Sequence, residues 1–135
     1  MPDIRPLNTK KYEISKHKFL YVYHFCMQYN EWQTELKYMT NTVKSLEITD
    51  MPVTHENSDS TSRLAVRRAE LERKCKLIEQ TAIEADAGIY QYILKAVTNE
   101  GFTYNYLREV MDIPVSHNTF YNRRRKFYWL MAEKI

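Results

Sequence analysis

At 135 residues, 44% of them hydrophobic and 13% aromatic, the chain can build one modest packed core, since domains run ~100–150 residues. Mixed-sign charges at 27%, with only 2 Gly and 4 Pro, exclude a disordered tract, a hairpin-rich β fold and a Gly-rich phosphate cradle, and so favour helices. The net charge of +3 is unevenly placed: residues 1–60 carry 7 basic and 8 acidic groups, residues 61–135 carry 13 and 9, and the last 20 carry 5 and 1. A positive C-terminal field of this kind suits a polyanion.

The leader "MPDIRPLNTKKYE" is polar, with Pro2 and Pro6 and no apolar signal region, and no apolar run approaches the ~18 residues of a membrane span. A soluble, intracellular protein without membrane contact is the expectation. Ser15 is placed to cap a first helix that runs to roughly Ser45, because no Gly or Pro interrupts it. Phe19, Val22, Cys26, Tyr29, Leu36, Met39 and Val43 form its apolar stripe, which Tyr21, Phe25 and Trp32 broaden. Glu47 to Ser62 gathers Pro, Asp, Asn, Ser and Thr without periodicity and reads as a flexible loop of about 15 residues.

Thr61 or Ser62 then opens a second helix, with Leu64, Leu71 and Ile78 seven apart and Cys75 and Ala82 between them. This narrow seam fits either the first helix or a second copy of the chain, which makes a homo-oligomer one candidate assembly. Cys26 and Cys75 lack CxxC spacing and read as small buried hydrophobes in a reducing compartment. Asp86 is the predicted N-cap of a third helix whose face is Ile89, Tyr90, Ile93, Leu94 and Val97, ended by Asn99 and Gly101. Thr103 caps a short fourth helix with Leu107 and Val110 as core positions. Pro114 breaks the chain at Ile113, and Ser116 caps the last helix.

A two-turn helix, a short turn and a longer cationic helix, over about residues 103–132, have the dimensions of a helix-turn-helix. At about 100° per residue, Phe120, Phe127, Met131, Leu130, Tyr121 and Tyr128 of the last helix share one face. Asn118, Asn122, Arg125 and Trp129 form a stripe on the far side. Asn and Arg carry the forked donors and acceptors that match adenine and guanine edges, and recognition helices read with their N-terminal residues. Asn118, Asn122 and Arg125 are therefore the base-reading candidates. Arg123 and Arg124 flank the core face, where their stems cover apolar surface while the guanidinium groups reach phosphate, and Lys126 lies nearer the outward side. Ser116, His117 and Thr119 stand near the helix N-terminus, where free amides attract a phosphate oxygen. The rival reading of "RRRK" is a solvated helix face, and Tyr104 and Tyr106 are read as core rather than as base-stacking rings.

Catalysis has little support. His17, His24, His55 and His117 are scattered without the i, i+4 spacing of a helical zinc site, and Glu70, Glu72, Glu79 and Glu84 alternate with cations as solvated pairs. No enzyme, metal or cofactor is expected.

The string "YLREVMDIPVSHNTFYNRRRKFYWLM", with the upstream "LAVRRAELERKCKLIEQTAIEADAGIYQYILKAVT", resembles the RinA/ArpU-like family of phage late-gene transcription regulators. The likeness is weakest in the leader and across residues 47–62. It implies a module like the promoter-reading region four of sigma factors, with Tyr106, Leu107, Val110 and Ile113 in the scaffold, Pro114 in the turn and Asn118 through Lys126 in the recognition helix. It also implies an activator of phage or prophage genes working in the bacterial cytoplasm at the nucleoid, with double-stranded DNA and bacterial RNA polymerase as partners.

The expected architecture is all-α: a long N-terminal helix packed with a second helix, then a C-terminal helix-turn-helix bundle. Residues 1–60 would serve docking or oligomerisation, and residues 61–135 would bind DNA. Two rival readings stay open: a small terminase-like packaging subunit, which would assemble into rings, and a protein-binding inhibitor or adaptor that clamps a host factor.

Overall fold

Helix caps explain several of the element boundaries in the computed structural model, which describes the backbone of residues 12–48 and 55–135 and the side chains of 12–39 and 60–135. The elements are α1 (Lys16–Met27), α2 (Tyr29–Ile48), α3 (His55–Ala85), α4 (Tyr90–Thr98), α5 (Tyr104–Met111) and α6 (His117–Lys134). Among the described residues the fold is all-α, with no strand. Ser15, Thr103 and Ser116 each sit in extended backbone and accept a backbone amide two or three positions into α1, α5 and α6, the N-cap role their sequence positions predict. No described helix is long and apolar enough to cross a membrane.

The first predicted helix is interrupted at Gln28, between α1 and α2. Its amide donates to the Phe25 carbonyl at 3.3 Å, one residue short of the α-helical register. The His24 carbonyl, which that amide would otherwise satisfy, is taken by the Gln28 side-chain Nε2 at 3.2 Å. A side chain thus repairs the break, so neither Gly nor Pro is needed.

Two compact units result, one holding residues 1–28 and 77–135 and the other residues 29–76. The boundary expected near residue 60 falls inside α3. The predicted 47–62 loop is likewise shorter, because α2 continues through Ile48 and α3 is already helical at His55, ahead of the expected caps Thr61 and Ser62. The polar stretch from His55 to Ser62 is thus part of α3. Polar composition there marks a helix start rather than a loop. Residues 49–54 of that predicted loop, and the leader through Lys11 with Pro2 and Pro6, lie outside the described residues.

In the 29–76 unit, Trp32 and Met39 of α2 and Leu71 and Cys75 of α3 are buried. The two helices are tied by Arg67, whose Nε and Nη2 reach the two Glu35 oxygens at 3.2 and 3.3 Å, and by the Lys74 ammonium 5.2 Å over the Trp32 ring. Along α3, Glu70 pairs with Lys74 at 3.4 Å and Arg68 with Glu72 at 3.1 Å, so these glutamates belong to exposed i, i+4 pairs. Leu64 is half-buried.

The other unit packs α1, α4 and α6 against one another. Phe19, Val22, Tyr23 and Cys26 of α1 are buried, with Ile78 and Ala82 of α3 and Ile93 and Val97 of α4. Burial pushes the Cys26 thiol well above the ordinary thiol range. Tyr21, expected to broaden the α1 stripe, is exposed, and the side chains of Val43 and His55 lie outside the described residues. Asp86 does not cap α4: Ile89 holds the N-cap position without a side-chain bond, and Asp86 Oδ1 instead accepts the Gly88 amide at 2.8 Å.

Candidate nucleic-acid interface

Helix α5, a five-residue connection and α6 occur in the predicted order. The connection starts from Asp112, whose left-handed backbone (φ 52°) ends α5 two residues before Pro114. Asp tolerates that conformation better than most side chains. The amides of Asp112 and of Ile113 both turn back to the Leu107 carbonyl, the latter at 3.2 Å, as in a Schellman-type stop. Tyr104 is buried, and its hydroxyl donates to the Val115 carbonyl at 2.7 Å. This bond fastens the start of α5 to the residue preceding the α6 cap.

Leu107 and Ile113 are buried as expected, whereas Val110 is 62% exposed and Tyr106 is also exposed, its ring 4.5 Å from that of Phe102. The reason is helical phase. Successive steps of three lose about 60° each, so Val110 lies about 120° from Tyr104, while Met111 lies about 20° away. Met111 is accordingly half-buried.

Helix α6 divides into two faces. Phe120, Phe127, Tyr128 and Met131 are buried, and the Tyr128 ring meets Phe19 of α1 edge-on at 4.8 Å. Leu130 and Tyr121 are half-buried at the margin. On the far side Asn118 and Asn122 are exposed and Arg125 is half-buried. Trp129, the fourth member of that stripe, is half-buried: its ring lies 5.6 Å from that of Tyr12, which is itself only 6% exposed. The stripe is open at Asn118 and Asn122 and half-buried at Arg125 and Trp129. Tyr12, in a leader that reads as polar, is the residue sequence reasoning missed, and an outward-facing tryptophan was the only hint of it.

At the start of α6 the Ser116 hydroxyl accepts the Thr119 amide at 3.3 Å and donates to Thr119 Oγ1 at 3.0 Å. His117 packs its ring against Tyr104 at 5.4 Å and Tyr121 at 4.5 Å, and its Nδ1 lies 3.4 Å from Asn118 Oδ1. Ser116, His117 and Asn118 are all exposed, so the helix N-terminus faces solvent.

The four cations fall into three different surroundings. Arg123 Nε stands 3.2 Å from Asp86 Oδ2, an ion pair without an aligned hydrogen bond. Arg124 lays its guanidinium over two rings, 5.7 Å from the centre of Tyr121 and 5.4 Å from that of Tyr128, with its Nε buried. Arg125 and Lys126 are half-buried and have no ion pair, hydrogen bond or ring contact among the described residues. Burial pushes the Tyr128 hydroxyl up to about 12, with the Arg124 charge pulling the other way. Desolvation and then the Glu100 charge raise Tyr23, whose hydroxyl donates to Glu100 Oε1 at 3.4 Å.

His17 and His24 are exposed on α1, away from His117 in sequence. Among the described residues no group of three or more His, Cys, Asp or Glu side chains is placed to hold a metal ion. Compared with known proteins, the chain matches no family model, no curated protein and no solved structure.

Proposed function

We propose that the chain is a sequence-specific, double-stranded DNA-binding transcription regulator of the RinA/ArpU-like kind, activating phage or prophage late genes in the bacterial cytoplasm. The observation that carries this reading is the pair Asn118 and Asn122, one turn apart and exposed on the N-terminal half of an 18-residue helix. The opposite face of that helix is locked by Phe120, Phe127 and Met131. A rigid helix with amide side chains at its leading end has the means to read base edges in a major groove. Arg125 extends the same stripe.

Lys126, the outward edge of Arg123 and the solvent-facing start of α6 at Ser116 and His117 supply the phosphate contacts that fix register without reading sequence, the Thr119 amide being already bonded to the Ser116 hydroxyl. Arg124, held over its two rings, contributes charge at longer range. The 29–76 unit contains none of these residues and is left to contact RNA polymerase, which would make activation a matter of recruitment.

Selection of bound sites from randomised duplex DNA, with and without host RNA polymerase, tests the reading. Enrichment of one motif is expected, with log affinity falling linearly against log salt. Asn118→Ala and Asn122→Ala should each relax preference at one base pair by about 1–3 kcal/mol. No enriched motif and no salt-dependent duplex binding would overturn the proposal and favour a purely protein-binding adaptor.

A further inference from the structure

Asp86, in the turn between α3 and α4, uses both carboxylate oxygens. Oδ1 accepts the Gly88 amide at 2.8 Å, and Oδ2 faces Arg123 Nε of α6 at 3.2 Å. Gly88 leaves room for this: a Cβ at that position would stand 3.2 Å from Oδ1, closer than side chains ordinarily pack. The carboxylate is therefore clamped to the backbone before it meets the arginine. Its side chain is 25% exposed and that of Arg123 38%, yet Arg123 Nε itself is enclosed. Among the described residues its Nη nitrogens make no hydrogen bond.

On the helix, Arg123 and Lys126 are three residues apart and share one flank between the core face and the asparagine stripe. Arg124 is on the opposite flank, against Tyr121 and Tyr128. A fixed carboxylate beside its Nε restricts the guanidinium group of Arg123 and leaves the Nη edge, on the flank that carries Lys126, without a hydrogen bond of its own. Such an edge matches two oxygens of a phosphate group.

We propose that Asp86 is a positioning residue for polyanion binding: it holds Arg123 by the Nε edge so that the Nη edge is presented with Lys126 to one backbone phosphate. The inference rests on the duplex-binding reading above. It also reverses the simple electrostatic expectation, since a carboxylate near a phosphate site repels the ligand and its removal should tighten binding. A carboxylate that orders the gripping arginine has the opposite effect, because the freed side chain must then be immobilised on binding.

The discriminating variant is Asp86→Asn, which keeps an acceptor for the Gly88 amide but removes the charge that holds Arg123. Affinity of the full-length chain for a selected duplex is measured across a salt series for the wild type, Asp86→Asn, Arg123→Ala and the double variant, with thermal unfolding as a check on folding. Asp86→Asn is expected to bind about 2- to 10-fold more weakly, the effect of freeing one long side chain, at unchanged thermal midpoint. The double variant is expected to bind no more weakly than Arg123→Ala alone. Tighter or unchanged binding by Asp86→Asn, or losses that simply add in the double variant, would overturn the inference while leaving duplex binding intact. Absence of salt-dependent duplex binding by the wild type would instead remove the reading on which it rests.

Discussion

Replacing Arg124 with alanine separates a cation that binds nucleic acid from one that holds the fold. Its guanidinium lies 5.7 and 5.4 Å from the centres of the Tyr121 and Tyr128 rings, and its Nε is buried. A cation–π contact is worth about 0.5–1 kcal/mol at exposed sites and about 2 when desolvated. With one half-buried and one fully buried ring, the expected loss is about 1–3 kcal/mol. For a chain of this size that corresponds to a fall in thermal midpoint of roughly 4–12 °C. Urea unfolding followed by far-ultraviolet circular dichroism measures it directly, as a lower midpoint at unchanged slope. Arg124→Lys keeps the charge but not the flat face, so it should recover less than half of the loss. In DNA binding, Lys126→Ala should reduce the log–log salt slope by about 0.9, the share of one phosphate contact, while Arg124→Ala should change it by less than half as much. Wild-type stability for Arg124→Ala, combined with a slope change equal to that of Lys126→Ala, would refute the division of roles.

Two further predictions concern the body that carries α6. The Tyr128 hydroxyl is raised to about 12 from an ordinary 10, so between pH 10 and 12 the unfolded chain has released a proton that the folded chain still holds. Stability conferred by its burial is complete below pH 10 and is lost as pH rises through 12, by on the order of 2–3 kcal/mol over the window; Tyr128→Phe should lessen that alkaline loss in urea titrations. Leu107→Ala should destabilise by about 2–5 kcal/mol, whereas Val110→Ala, at a 62% exposed position, should stay within about 0.5 kcal/mol; equal losses in calorimetry would contradict the phase assigned to α5.

What could be read from the sequence follows the range of the interaction. Caps are local hydrogen bonds between neighbours, and Ser15, Thr103 and Ser116 were legible for that reason. The core face of α6 was legible because periodicity over 18 residues averages out single exceptions. On the eight-residue α5 the same rule misplaced Val110, since two turns do not fix the phase. Gln28 escaped notice because the break is repaired by a side-chain amide rather than marked by a breaker residue. Asp86 and Tyr12 were missed because their partners, Arg123 and Trp129, are remote in sequence, and no spacing rule spans such a distance. Within "RRRK" the wheel separated the directions of the side chains, but only the fold shows that Arg123 meets a carboxylate and Arg124 two rings.

The contact between Tyr12 and Trp129 lies toward the C-terminal end of the outward stripe of α6. Residues 117–128 of α6 precede Trp129, about 18 Å of helix at 1.5 Å per residue. A major groove is about 12 Å wide, so under the proposed function the length ahead of Trp129 is about one and a half groove crossings. The ring pair would then bound how far the helix can enter the groove. Depth of insertion would be fixed by a tyrosine that touches no nucleotide, and shortening that side chain would alter how far the helix can sink before it alters what the helix can read.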